Sequence, residues 1–255
     1  MYSAAMQGSL VDLSTASGPM RAYEVGPAGA GPHPSLLFLM DGLGFREVLF
    51  PMADRFAAGG YRVLVPDLFH RIGPDVHFDA KVVFSSPDKL AEMRKVLSQV
   101  DAAGVMEDVA VCLDRLAAPG EAAAQAPAPM GIFGYCMGGR FAFMAAAHFP
   151  ERIGAAASIH GGNLVTAAPD SPHRDADRIK ARLYFAIAEQ DGSFTSEDEA
   201  TLRQALERCG ARFEMEHYAA RHAWTMTDAP VYSPTEAERH FGQVLAFFDS
   251  ALREG

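Results

Sequence analysis

Short apolar runs alternate with longer amphipathic stretches along most of this chain, and that alternation constrains the fold more than any other feature. The runs Leu36–Met40, Tyr61–Val65, Gly131–Phe133, Ile153–Ile159, Leu183–Ala188 and Arg212–Tyr218 have the length and apolarity of strands buried on both faces. Between them Glu47–Ala58, a long stretch within Pro87–Leu116, Met137–Phe149, Ser196–Cys209 and about Thr235–Leu252 carry helical periodicity. Strand and helix in turn predict an α/β fold with a mostly parallel central sheet and helices on both faces. Functional residues are then expected just beyond the carboxyl ends of the strands.

Composition narrows what such a fold does. The chain has 255 residues, 49% of them hydrophobic and 21% charged, which suits one well-packed domain over 1–255. Residues 1–18 are expected to form a loosely ordered N-terminal segment, and the Pro- and Ala-rich run Ala117–Met130 reads as a surface loop. With 22 basic against 32 acidic residues the net charge is −10, which opposes binding to nucleic acid or an anionic membrane. No run approaches the roughly 18 to 20 apolar residues that cross a bilayer, and the N-terminal stretch lacks the pattern of a secretory signal. Three cysteines suit a reducing compartment. These features predict a cytoplasmic protein, a monomer or homodimer, whose partner is a small molecule.

The chemistry concentrates in residues 131–140, Gly-Ile-Phe-Gly-Tyr-Cys-Met-Gly-Gly-Arg, where an apolar strand runs into a helical pattern. Gly134-Tyr135-Cys136-Met137-Gly138 has the form of the G-x-S-x-G nucleophile elbow with Cys in place of Ser. Strand and helix approach closely at such a turn, so the residues two before and two after the nucleophile must be small. Gly134 and Gly138 fill those places. A thiol there lies at a helix N-terminus, where partial positive charge favours the reactive thiolate. Cys112 and Cys209 fall in helical patterns without an elbow and read as structural.

An elbow nucleophile takes its partners in the chain order nucleophile, acid, histidine. Of the downstream histidines, His148 and His240 fall within helices, His217 within a strand, and His173 in a Pro/Asp-rich loop. His222 follows the last strand and is the expected base. The strand Leu183–Ala188 runs into Glu189-Gln190-Asp191-Gly192, which makes Asp191 the expected orienting carboxylate, with Glu189 its competitor two residues earlier.

These residues resemble the dienelactone hydrolase family of α/β-hydrolases across roughly residues 20–250. The resemblance rests on Gly-Tyr-Cys-Met-Gly-Gly, on Val-Pro-Asp-Leu-Phe after the strand at 61–65, on Asp191-Gly192 and on Arg221-His222-Ala223-Trp224. It implies an α/β-hydrolase fold and hydrolysis of a lactone or small ester by a Cys136-His222-Asp191 triad, in the manner of a carboxymethylenebutenolidase, with no metal or organic cofactor. Two positions depart from the family pattern. Asp41 stands where the family usually carries a Glu that takes part in activating the cysteine. Met226 stands where dienelactone-cleaving members hold the substrate carboxylate with an Arg, a loss of about 1.5–3 kcal/mol for an anionic substrate.

The expected mechanism is attack of Cys136 on an ester or lactone carbonyl, with His222 moving the proton and the backbone N–H groups of Met137 and Gly42 forming the oxyanion hole. Phe69, His70, Arg71, Tyr135, His160, Trp224 and Met226 are candidate substrate-binding residues, because most follow strands or flank the triad. Arg140 is a further candidate cation. The competing expectation from another class is a non-catalytic or redox-sensing thiol protein that keeps the hydrolase fold.

Overall fold

The computed structural model describes residues 8–27, 33–117 and 129–253. Eight strands form one sheet: β1 (Ser9–Thr15), β2 (Gly18–Val25), β3 (Ser35–Leu39), β4 (Arg62–Pro66), β5 (Met130–Tyr135), β6 (Ile153–Ile159), β7 (Arg182–Gln190) and β8 (Phe213–Arg221). Their spatial order is β1-β2-β4-β3-β5-β6-β7-β8. From β4 to β8 every neighbouring pair is parallel; β1 and β2 add an antiparallel edge. The order reverses between β4, β3 and β5, and at such a switch point the loops after β3 and β5 diverge to leave a crevice.

Among the described residues seven α-helices lie between or after the strands: α1 (Leu49–Ala58), α2 (Ala80–Val83), α3 (Pro87–Leu97), α4 (Ala102–Leu116), α5 (Met137–His148), α6 (Ser196–Arg208) and α7 (Pro234–Leu252). Alternation along β5 assigns their faces. Phe133 meets Phe56 of α1 and Phe248 of α7, at ring centroids 4.6 and 5.8 Å away. Gly134 points the other way, onto α5. The sheet is therefore covered on both sides, and β3 and β5 are buried along their whole length.

Two sequence expectations are corrected. Within the segment expected to be loosely ordered, residues 9–15 form β1, paired to β2 through a hairpin whose return residue Gly18 has φ 110°. Leu13 lies opposite Met20 and both are buried, which gives the hairpin an apolar face on the core. The long helical stretch within Pro87–Leu116 is two helices. Asp101 breaks it by accepting a hydrogen bond from the Gly104 N–H at 2.8 Å, an N-cap that restarts the chain as α4. Most of the Ala117–Met130 loop lies outside the described residues. No described helix is long and apolar enough to cross a membrane.

Candidate active site

The turn from β5 into α5 places Cys136 at φ 53°, ψ −113°, a conformation that non-glycine residues rarely adopt. Both flanking glycines are required by space. A Cβ on Gly138 would sit 2.3 Å from the Leu39 carbonyl oxygen, and one on Gly134 would sit 2.3 Å from the Gly138 carbonyl carbon. Strand and helix thus touch backbone to backbone, and the cysteine is pushed out at the apex, half-buried. Among the described residues the N–H groups of Met137 and Gly42 donate to no protein acceptor. Met137 opens α5, where such unpaired N–H groups are the rule.

His222 and Asp191 arrive from the ends of β8 and β7. The His222 Nδ1 and Asp191 Oδ2 atoms are 2.6 Å apart. Asp191 is buried, with its other oxygen accepting from the Ser193 N–H at 2.8 Å and the Ser193 Oγ–H at 2.6 Å. Burial alone would raise the Asp191 pKa; the bonds from His222 and Ser193 outweigh it and hold it below the usual carboxylate range. His222 is likewise opposed by burial. The neighbouring Cys136 side chain and the bond to Asp191 overcome that and push its pKa up to about 10. Glu189 is exposed and makes no hydrogen bond to His222.

The remaining histidines take other roles. His217 is exposed on β8 and pairs with Glu199. His240 is buried in α7 against the Tyr135 hydroxyl, 3.1 Å away, and burial pulls its pKa down to about 3. His173 bonds Ser171.

Most of the expected substrate-binding residues are buried, and Tyr135 and His160 line small cavities other than the one beside His222. Phe69, Trp224 and Met226 are fully buried, and Tyr135 is 2% exposed. His160 is 2% exposed with both ring nitrogens engaged. His70 and Arg71 are tied to Asp108 of α4, where they fasten the loop after β4. The reason is common to all of them. In a sheet covered on both faces, residues just after a strand often turn inward, and only those at the outer rim of the loops reach solvent. A cavity of about 530 Å³ beside His222 is lined instead by Lys81, Phe84, Gln190, Arg221, Ala223 and Val231, among others. That volume lies within the range of small-molecule sites.

Asp41 does not stand free beside the thiol. Its two carboxylate oxygens take the Arg46 guanidinium, one at 2.9 Å, and one of them also accepts the Leu43 N–H. Arg46 reaches on to Asp228 with Nε at 2.7 Å, so it clasps the loop after β3 to the loop after His222. Burial opposes the Arg46 charge, but Asp41 and Asp228 overcome this and raise its pKa further. Ser193 and Arg46 carry no motif of their own. Only Ser193, two residues past Asp191 in an Asp-Gly-Ser turn, left a local signal. Cys112 is fully buried in α4, whereas Cys209 is exposed at the end of α6 and not part of the core. Among the described residues no group of three or more His, Cys, Asp or Glu side chains is placed to hold a metal ion.

A mostly parallel sheet of this order, with a strained residue on the turn after its central strand and a histidine–carboxylate pair beyond the last two strands, defines an α/β-hydrolase. The profile of the dienelactone hydrolase family matches residues 20–252, and the chain belongs to that family of hydrolases. It is 28% identical over 234 residues to an Escherichia coli (strain K12) protein that carries the provisional name carboxymethylenebutenolidase, covering 90% of this chain and 82% of that protein. A solved structure from Klebsiella pneumoniae subsp. pneumoniae, provisionally titled a dienelactone hydrolase, superposes with a TM-score of 0.81 at 25% identity, over 96% of this chain and 98% of that one. A dienelactone hydrolase-like promiscuous phosphotriesterase from metagenomic libraries has a TM-score of 0.75 at 20% identity, covering 97% and 99%, and shares the fold.

Proposed function

We propose that this hydrolase cleaves a lactone or small ester through Cys136, by way of an acyl-thioester intermediate. The observation that carries this reading is the His222 Nδ1–Asp191 Oδ2 pair beside the strained elbow that bears Cys136, with the Cys136 side chain and Asp191 both raising the His222 pKa. A thiolate paired with an imidazolium attacks the carbonyl, and the free N–H groups of Met137 and Gly42 receive the developing oxyanion. His222 then delivers its proton to the leaving alkoxide.

Acylation has a built-in electrostatic consequence. Once the sulfur is a thioester it is neutral, and one of the charges that raised the His222 pKa is gone. The imidazole is then free to take a proton from water and complete hydrolysis. The same reading favours esters, lactones and thioesters over amides, because an amine is expelled less readily than a thiolate from the tetrahedral intermediate.

Arg46 is saturated by two carboxylates and Met226 is buried, so neither supports an arginine clamp for a substrate carboxylate near the thiol. Lys81 and Arg221 line the cavity beside His222, so the first substrates to compare are esters and lactones with and without a carboxylate. The test is turnover of p-nitrophenyl acetate and of a panel of lactones by the wild type and Cys136→Ala, with iodoacetamide labelling of the thiol alongside. Saturable turnover lost in Cys136→Ala supports the enzyme. A reactive thiol without turnover would favour a redox-sensing protein, and unaltered turnover in Cys136→Ala would overturn the assignment.

A further inference from the structure

His160 follows β6 with φ 37° and is buried among the rings of the site. Its ring centroid is 4.8 Å from that of His222, 5.0 Å from Trp224 and 5.7 Å from Tyr135. Its two nitrogens have different partners. The Cys136 backbone N–H, which also donates to the Ile159 carbonyl at 3.0 Å, donates to His160 Nδ1 at 3.1 Å. His160 Nε2 lies 3.0 Å from Thr225 Oγ1, on the loop that carries His222 three residues earlier.

A backbone N–H can only donate, so Nδ1 must present a lone pair and the ring proton must reside on Nε2, where it donates to Thr225. The imidazole is therefore neutral, with one fixed tautomer. Burial first, then the neighbouring His222, depress its pKa far below the ordinary value and keep it so. A charged ring would also set two protonated imidazoles side by side against His222.

We propose that His160 is a positioning residue: a neutral imidazole bridge that fixes the backbone of the nucleophile to the loop of the base, and so holds the sulfur and His222 in register. The idea rests on the Cys136-His222 chemistry proposed above. The strained Cys136 has no side-chain cap on the helix it opens, and without the bridge its backbone N–H keeps the Ile159 carbonyl of β6 as acceptor. Thr225 is 4% and His160 2% exposed, so little water competes for the two bonds.

The experiment uses the full chain carrying Thr225→Val, which keeps the shape and removes the acceptor, then His160→Asn and the double variant. Asn places an amide oxygen near the position of Nδ1 and tolerates positive φ, but does not reach Thr225. Two quantities are read: the rate of iodoacetamide alkylation of Cys136 across pH 5 to 9, followed on its own peptide because Cys209 is also exposed, and kcat and KM for p-nitrophenyl acetate per mole of protein shown by circular dichroism to be folded. Alkylation at neutral pH and kcat are each expected to fall about tenfold in Thr225→Val, about 1.4 kcal/mol, with KM within about twofold. His160→Asn is expected to fall by a similar factor, and the double variant no further, since both break one bridge.

Unchanged alkylation profiles in both single variants, or losses that multiply in the double variant, would overturn the proposal. Alkylation reads the alignment without any substrate. A wild type that alkylates rapidly but turns over no ester would thus refute the hydrolytic reading while leaving the bridge tested. If His160→Asn does not fold, Thr225→Val decides.

Discussion

Ser193 makes the consequence of Asp191→Asn unusually specific. In the wild type one Asp191 oxygen accepts from both the N–H and the Oγ–H of Ser193, and the other faces His222 Nδ1. An asparagine must keep its single amide oxygen on the two Ser193 donors, so its NH₂ group turns toward His222. Nδ1 then has to accept, and the ring proton moves to Nε2. The charge-assisted bond lost is worth about 1.5–3 kcal/mol, or roughly 10- to 100-fold. The wrong tautomer adds to this, for an expected fall in kcat/KM of roughly 10²- to 10⁴-fold. Adding Ser193→Ala removes one of the two donors that fix the amide and is expected to recover about tenfold of the loss. Steady-state kinetics with a p-nitrophenyl ester measures both, and an NMR titration of the His222 ring should show its pKa falling from about 10 toward 6.5. The sign for stability follows from the same shift. A histidine whose folded pKa is raised lends stability that is full below about 6.5 and is lost as the pH climbs toward 10, and Asp191→Asn should flatten that slope. Activity within threefold of wild type in Asp191→Asn, with an unshifted His222 titration, would refute the argument.

Three further outcomes are expected. Arg46→Met strands two carboxylates, one of them buried, and should cost about 3–5 kcal/mol in urea unfolding; a loss below 1 kcal/mol would mean that the clasp does little. Gly138→Ala forces a methyl group onto the Leu39 carbonyl, and the backbone there has no flexible side chain to move aside. That variant should be destabilised by about 3 kcal/mol or more, and soluble protein with a wild-type melting temperature would contradict the close approach. Phe84 is 55% exposed at the rim of the cavity beside His222. Phe84→Ala should leave stability within about 0.5 kcal/mol while raising KM for bulky esters more than for the acetate, and equal KM changes across the series would remove it from the substrate path.

The parallel sheet was legible because its strands from β3 to β7 are short apolar runs, most of them followed by a helical pattern, and β8 alternates apolar and polar residues before the last helix. β1 was not, because only one face of that edge strand packs on the core and Leu10 is 56% exposed, so its apolar content is too low to stand out. The break before α4 was hidden for a different reason. The segment Ser98–Asp101 contains no Gly or Pro, and only the Asp101 cap marks the restart. In the candidate site, the elbow at Cys136 and the pair His222–Asp191 could be picked out because the elbow is a local motif and chain order limits the partners proposed for it. The lining of the cavity could not, since whether a residue after a strand turns inward or outward is decided by helices far away in the chain. Arg46 and Asp228 are 182 positions apart, and no local pattern announces such a pair.

Cys112 gives the molecule an internal gauge of its own cohesion. Its thiol lies in α4 at full burial, and burial together with Asp108 raises its pKa well above the ordinary value, so it cannot react until the helix lifts from the sheet. In a protein whose other two cysteines have been replaced, the rate at which that single thiol is captured by an external disulfide would equal the intrinsic rate multiplied by the fraction of molecules open. A colour change in a cuvette would then report the free energy holding α4 in place, under native conditions and with no denaturant to extrapolate from.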